Sequence, residues 1–237
     1  MAGNNGSKSI QEAVYNELKQ GIMTLRLAPG SAMSTQEMAL RLNVSRTPVR
    51  EAFLSLQREG LVEAIPQRET IVSRIDPKRA EQECFIRESL ERAAVQPFIA
   101  MAKEEDYLRL RKNIETQYSL CNAQNWLEFV DCDTQFHKIF FDVTQQSLAW
   151  NVILNNNGHY NRIRLLTVQN TDTMRDSILQ HTHLVDLLEQ GKAAEAEDAF
   201  LHHIRGANFQ NRELESKFRD YFSGSGTQTQ GIHIRPL

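Results

Sequence analysis

The sequence predicts a mostly α-helical chain in two parts: a small front part with a β-hairpin, and a larger rear part that is helical throughout. Three observations carry this. Apolar residues recur at helical spacing from Ile10 to Ile22, and again from residue 77 to about 221, where no strand alternation competes. Two β-prone runs, 61–65 and 70–75, flank Pro66-Gln67-Arg68-Glu69 and read as a hairpin. Charge divides at the same place: residues 1–75 hold nine Lys/Arg against seven Asp/Glu, net +2, so the remainder is net −5 in a chain of net −3.

Composition narrows the class. With 41% hydrophobic and 24% charged residues over 237 positions, a packed core is expected and global disorder is not. No run approaches the roughly 18–20 apolar residues of a membrane span. The start, Met1 to Lys8, lacks a basic segment followed by an apolar one, so no secretory signal is expected. Cys84, Cys121 and Cys132 are odd in number and have no metal-clip spacing. They read as reduced thiols of a cytoplasmic protein.

In the front part, Ser9 and Glu12 form an S-x-x-E capping box, and Ile10, Val14, Leu18 and Ile22 recur every four residues. Ala28-Pro29-Gly30 stops that helix. A short helix over about 35–42 carries Met38, Ala39 and Leu42 on one side. After Asn43-Val44, Ser45 caps a third helix with Val49, Ala52, Phe53 and Leu56 inward, which Gly60 ends. Pro48 is tolerated because it lies in the first turn. Helix, helix, turn, helix and hairpin in about 65 residues is the pattern of a winged helix-turn-helix. Asp76-Pro77 then opens a new helix and marks a boundary. The rear helices are expected over 77–102, 104–122, 125–143, 147–168, 173–190 and 193–219, with Asn155-Asn156-Asn157-Gly158 a possible interruption of the fourth. The organisation expected is a tail over 1–8, a winged domain over 9–75, a helical domain over 76–221 and a low-complexity tail over 222–237.

A recognition helix in the major groove presents donors from its N-terminal turns. Here those turns carry Ser45, Arg46, Thr47 and Arg50, with Arg46 and Arg50 four apart on a face opposed to the apolar one. Arginine can bond guanine bidentately, and the hydroxyls and free N–H groups suit phosphate oxygens. Arg68 at the hairpin tip is placed to reach an adjacent groove. Pro29-Gly30, Glu37-Met38-Ala39, the run Asn43-Val44-Ser45-Arg46-Thr47-Pro48-Val49-Arg50-Glu51-Ala52, and Glu59-Gly60-Leu61-Val62 together resemble the DNA-binding domain of GntR-family transcription regulators. The resemblance implies operator contacts from Arg46, Thr47 and Arg50, with Ser45 and Arg41 as secondary candidates. Glu69 stands where the family's wing usually has glycine, and Gln36 where some members carry a base-contacting arginine.

The rear part holds the second motif. In 125–143, Trp126, Phe129, Val130, Phe136 and Phe140 define an inward stripe that also contains Asp133 and His137, four apart. Burying a carboxylate and an imidazole costs several kcal/mol unless they are paired or coordinate something. In 173–190, the stripe Ile178, Leu184, Val185 and Leu188 includes His181 and turns His183 away by about 200°. In the last helix Ala196, Ala199, Phe200 and Ala207 select His203 over His202. Helical phase therefore sends Asp133, His137, His181 and His203 toward one interior. The competing explanation is a set of unrelated core histidines with satisfied hydrogen bonds. Three imidazoles and a carboxylate suit Zn, Ni, Co or Mn better than Ca or Mg.

Arg87-Glu88-x-x-Glu91, Asp133-x-x-Phe136-His137, and His181-x-x-Leu184 with Gly191 and His203 beyond it resemble the all-helical effector domain of the FadR branch, the FCD domain, so the likeness covers about 9–215. It implies a six- to seven-helix bundle in which these four residues bind a divalent metal, commonly zinc, beside a small, often carboxylic, ligand. Gln180 replaces a common Glu before His181, and Gln145-Gln146-Ser147-Leu148 replaces an Asn-x-x-Leu. Arg87, Arg162 and Arg164 are candidate counter-charges for an acidic effector, with Glu91 a partner for Arg87.

The leading expectation is a ligand-responsive transcription regulator, a repressor, acting as a homodimer on a pseudo-palindromic operator in double-stranded DNA, with no membrane association. Ligand entry is expected to re-pack the bundle around the linker near 73–78 and so alter the recognition-helix spacing. The alternatives are a metal-dependent hydrolase or lyase with an appended DNA-binding domain, against which no HExxH-type motif is found, and a metal-free dimerisation bundle.

Overall fold

The computed structural model describes residues 4–65, 69–206 and 212–224. The chain divides into two compact units, Met1–Pro77 with Arg212–Leu237, and Lys78–Asn211. The first unit comprises α1 (Asn4–Met23), β1 (Ala32–Met33), α2 (Thr35–Arg41), α3 (Arg46–Arg58), β2 (Val62–Ala64) and β3 (Thr70–Val72), with the C-terminal α11 (Arg212–Lys217) and a 3₁₀ turn over Arg219–Tyr221. Its four-residue apolar repeat places Val14, Leu18 and Ile22 against Val49, Ala52, Phe53 and Leu56 of α3 in one core. Helix α2 starts where the Ser34 hydroxyl accepts the Glu37 N–H at 3.0 Å. Asn43 makes the turn into α3 with φ 52°, a left-handed conformation asparagine tolerates. Ser45 is the N-cap of α3, but its side chain makes no capping bond. Lys19 of α1 ties to Glu59 past the other end of α3 at 2.7 Å.

The sheet is three-stranded and antiparallel in the order β1-β3-β2, with Ala32 opposite Ile71 and Val62 opposite Val72. The hairpin reading missed β1, a two-residue strand that exists only through its pairing with β3. The paired strands are shorter than the expected 61–65 and 70–75. The hairpin tip, with Arg68, lies outside the described residues.

The second unit comprises α4 (Pro77–Met101), α5 (Glu104–Asn122), α6 (Trp126–Val143), α7 (Ser147–Asn155), α8 (Gly158–Thr167), α9 (Thr171–Glu189) and α10 (Ala193–Arg205). Helix α5 packs between α6 and α9, and α9 pairs with α10. Ring packing seals the centre: Phe140 lies 4.7 Å from Phe98 and 4.8 Å from Phe200, centroid to centroid. The inward face of α4 is polar as well as apolar, since Glu83, Arg87 and Glu91 are all buried.

Three helix limits differ from expectation. Helix α1 begins at Asn4, so Ser9 lies within it rather than capping it. The expected helix 147–168 is two helices, broken at Asn156 and Asn157. There Glu83, buried on α4, accepts the backbone N–H groups of His159 and Tyr160 at 2.8 and 2.9 Å. The carboxylate caps α8 from another helix, because Asn157 makes no side-chain cap. The last long helix stops at Arg205, and Ala207, assigned to its inner face, lies outside the described residues. Phe222, expected in a tail, is buried and bridged to Ile75; residues 225–237 of that expected tail, and Met1 to Gly3 of the front one, lie outside the described residues.

Gly60 closes α3 at φ 72° with open space where a Cβ would stand. Gly60→Ala should therefore cost about 1–2 kcal/mol, from backbone strain alone. Urea unfolding checks this, and a loss well above that range would mean the turn is sterically enclosed.

Candidate metal centre and nucleic-acid interface

Helix α6 delivers Asp133 and His137 one turn apart, α9 delivers His181 and α10 delivers His203. One ligand atom from each lies within 4.8 Å of all the others. His203 Nε2 stands 3.2 Å from His137 Nε2 and 3.0 Å from His181 Nε2. Asp133 Oδ2 is 3.5 Å from His137 Nε2, and Oδ1 is 3.7 Å from His181 Nε2 and 4.0 Å from His203 Nε2. The neighbouring histidines of each pair, His183 and His202, are exposed.

Hydrogen bonds on the far side of each ring decide what those nitrogens are. His137 Nδ1 is 2.6 Å from Glu91 Oε2, His181 Nδ1 is 2.8 Å from Gln117 Oε1, and His203 Nδ1 is 2.8 Å from Gln180 Oε1. Glu91 also accepts Arg87 Nε at 2.7 Å. Burial opposes its charge, but Arg87 and His137 prevail and hold the carboxyl below its usual range, so Glu91 is an acceptor only. The Gln117 amide is oriented by a relay. Asn113 Nδ2 donates to the Cys132 carbonyl at 2.9 Å, and Asn113 Oδ1 accepts Gln117 Nε2 at 2.7 Å. A carbonyl cannot donate, so the relay runs one way and presents Gln117 Oε1 to His181. The neutral His137 and His181 rings thus carry their protons on Nδ1 and point bare Nε2 lone pairs inward, where His203 Nε2 faces both.

The three Nε2 atoms and the Asp133 carboxylate face one point, where a cation would hold them together. Separations of 3.0–3.2 Å between nitrogens are those of atoms sharing one small ion through bonds of about 2 Å. The donor set therefore fits a divalent metal, and Glu91, Gln117 and Gln180 would orient the imidazoles around it. Electrostatics agree. Burial pushes the His137 and His203 pKa values down and that of His181 down to about 3, while the Arg164 guanidinium overcomes burial to hold Asp133 ionised. The cluster is a buried Asp/His₃ group compatible with a metal site.

Beside it opens a cavity of about 250 Å³, lined by Asp133, His203, Tyr160, Arg164, Thr167, Thr173, Asp176, Ser177 and Gln180 among others. Of the three arginines singled out in the sequence, only Arg164 lines it, bonded to Asp133 Oδ2 and through Nη1 to Asn161 Oδ1 at 2.9 Å. Arg87 is committed to Glu91, and Arg162 donates to the Gly158 carbonyl at 2.9 Å. Gln117 escaped the sequence reading, its only signal being a polar residue on an otherwise apolar stripe, and Gln180 entered it as a departure from a common Glu and not as a partner of His203. The thiols of Cys84 and Cys132 are pushed up to about 12 and about 11, chiefly by burial, and so are poor nucleophiles.

In the first unit, Ser45, Arg46, Thr47 and Arg50 line the exposed side of the start of α3, and Arg41 is exposed at the end of α2. Val49, Ala52, Phe53 and Leu56 bury the opposite side.

A winged helix-turn-helix with an arginine-bearing helix free in solvent, carried by the same chain as a helical unit around a polar cluster, defines the class as a DNA-binding transcription regulator. Residues 10–72 match the model of bacterial regulatory proteins of the gntR family, and residues 84–206 match the FCD domain. The chain is 27% identical over 219 residues to the HTH-type transcriptional repressor RspR of Escherichia coli (strain K12), covering 92% of this chain and 96% of the relative. It is 32% identical over 205 residues to an HTH-type transcriptional regulator in an unstable DNA locus of Streptomyces ambofaciens, covering 86% of each. A GntR transcriptional regulator from Rhodococcus sp. RHA1 shares the fold at a TM-score of 0.74 and 18% identity, covering 89% of this chain and 100% of that one. The chain belongs to the GntR family of transcription regulators, with an FCD domain at the rear. Regulators of this family bind DNA operators, and the hydrolase or lyase alternative falls, since these relatives are regulators and not enzymes. Among the described residues no helix is long and apolar enough to cross a membrane.

The three buried histidines make metal-free stability depend on pH with a definite sign. Their folded pKa values lie below the unfolded value of about 6.5. Unfolding below that pH therefore takes up protons. Stability is complete above about pH 6.5 and is lost as pH falls toward 3, with up to three protons bound per unfolding event. Urea midpoints of chelator-treated protein between pH 7.5 and 5 check this; a flat profile would show that the folded rings titrate as they do in the unfolded chain.

Proposed function

We propose that the chain is a homodimeric, cytoplasmic repressor whose rear domain, over about 76–221, holds a divalent metal, zinc first, and answers to a small carboxylate by changing its grip on a pseudo-palindromic operator. The observation that carries the metal reading is the convergence of the His137, His181 and His203 Nε2 atoms on Asp133. Asp133, His137, His181 and His203 are the ligands. Nickel, cobalt and manganese suit the same donors. A bound metal supplies a Lewis-acid anchor for an anionic group.

The chain's own residues do the rest. Arg164, on the cavity wall and against Asp133, orients both the ligand carboxylate and an incoming acid. Thr173 and Ser177 offer hydroxyls, the Thr167 hydroxyl being spent on the Ile163 carbonyl at 2.9 Å, and Asp176 can accept a ligand hydroxyl, which favours a hydroxylated acid over an apolar one. Arg87 and Arg162 act behind this wall, through Glu91 and α8. On the DNA, Arg46 and Arg50 read base edges, while Ser45, Thr47 and Arg41 contact phosphates and Arg68 serves the wing. The repressor named among the relatives supports the sign of control. The effector works only by binding one state of the dimer more tightly than the other.

Arg46→Ala or Arg50→Ala should each weaken specific operator binding by about 1–3 kcal/mol with little effect on folding. Fluorescence anisotropy on operator and scrambled duplexes checks this; unchanged specificity in both would remove α3 from the groove. His137→Ala should deplete bound metal, and Gln117→Leu should lower metal affinity about 10–100-fold by freeing the His181 ring. Elemental analysis and chelator competition measure both, and stoichiometric metal in His137→Ala would exclude that ligand.

A further inference from the structure

The exposed side of α3 holds one residue that hydrogen bonding to DNA does not explain. Every exposed position of that helix is polar except Leu54, which is 48% exposed. It takes no part in the core of the winged unit, to which α3 contributes Val49, Ala52, Phe53 and Leu56 from its opposite side. At about 100° per residue, Leu54 lies roughly 40° round the helix from Arg50 and roughly 20° from Thr47. Arg46, Arg50 and Leu54 therefore follow one another along a single solvent-facing line, four residues apart at each step.

Each step along that line rises about 6 Å. Base pairs are spaced about 3.4 Å apart, so one step covers roughly two of them. A helix that lays Arg46 and Arg50 against base edges thus carries Leu54 over the next stretch of the same groove. Leucine has neither donor nor acceptor, and gains nothing from a phosphate or from the polar edge of a base. The major groove displays one apolar group, the C5 methyl of thymine.

We infer that Leu54 is a specificity residue of the DNA interface, which selects thymine in the operator by covering its methyl group. The inference rests on the reading that α3 enters the groove by its arginine face. Withdrawing one methyl from water against the leucine favours binding by about three- to fivefold. Cytosine, the other pyrimidine, has no methyl and forfeits that gain. Leu54 therefore tells the two pyrimidines apart without a hydrogen bond, next to arginines that read guanine by hydrogen bonds.

Duplexes selected by the full wild-type chain from a random-sequence library supply the probe. In the tightest of them, each thymine is replaced in turn by deoxyuridine, which pairs alike and lacks only the methyl. Affinities are measured by fluorescence anisotropy at fixed salt. For wild type, replacement at a thymine beside the arginine-read bases should weaken binding about three- to fivefold. Leu54→Ala, which keeps a good helix former at an exposed position, should bind the unmodified duplex more weakly by the same factor. It should be indifferent to that replacement and bind a scrambled duplex as wild type does. Leu54→Met keeps an apolar side chain and should retain the preference. Wild-type indifference to every replacement overturns the inference, as does full discrimination by Leu54→Ala. Arg50→Ala on the same duplexes separates the two failures. If it loses specific affinity while Leu54→Ala behaves as wild type, Leu54 alone is overturned. If Arg50→Ala and Arg46→Ala both keep full specificity, α3 is not in the groove and both readings fall.

Discussion

The rear domain depends on the direction of three hydrogen bonds. Glu91 and Gln117 each accept a hydrogen bond from a histidine Nδ1–H, which leaves the opposite nitrogens of His137 and His181 bare, and Gln180 Oε1 faces His203 Nδ1 in the same way. If one bond ran the other way, an N–H would point at its neighbour's lone pair and the cluster would be self-satisfied. As it stands, four electron-rich atoms face one another inside a hydrocarbon shell of Phe136, Phe140 and Phe200. That arrangement is costly alone and favourable around a cation, so stability of the bundle and affinity for the ion are two readings of the same geometry.

Much of this was legible in the sequence, and the reason is periodicity. Helices α6, α9 and α10 are amphipathic enough that phase alone separates His181 from His183 and His203 from His202, and the structure buries the chosen member of each pair more deeply. The same holds for α1 and α3, whose apolar repeats define one core. The missed features are those with no period. The break between α7 and α8 is stabilised by Glu83, more than seventy residues away, so nothing local announces it beyond a run of asparagines. Strand β1 is too short for alternation to appear. Gln117 and Gln180 matter through the direction of an amide, which no spacing encodes.

The arginines teach the same lesson differently. Arg87, Arg162 and Arg164 look equivalent in sequence, and all three are buried. What separates them is prior commitment. Arg87 has a carboxylate one helical turn along its own helix, and Arg162 turns back to the carbonyl at the start of its own helix. Arg164 meets its partner across the bundle and keeps a face on the cavity. Local pairing was readable from an i, i+4 spacing, whereas pairing across the fold was not.

Charge balance then gives the site its chemical preference. Asp133 and Glu91 are held ionised, Arg87 and Arg164 are cationic, and the three rings are neutral, so the buried group is close to electroneutral as built. A divalent ion would leave it with two uncompensated positive charges in a medium that screens poorly. The cavity wall offers the natural remedy, since Arg164 and the inner rim of the cluster border the same 250 Å³ space. An anion there offsets the excess charge and gains in affinity what the metal lacks in partners. By linkage, a bound metal would be held more tightly by the same factor. A neutral ligand of equal size would gain none of this, so the proposed acid rests on the charge of the buried group, against the one carboxylate, Asp176, on the cavity wall, and not on the shape of the cavity.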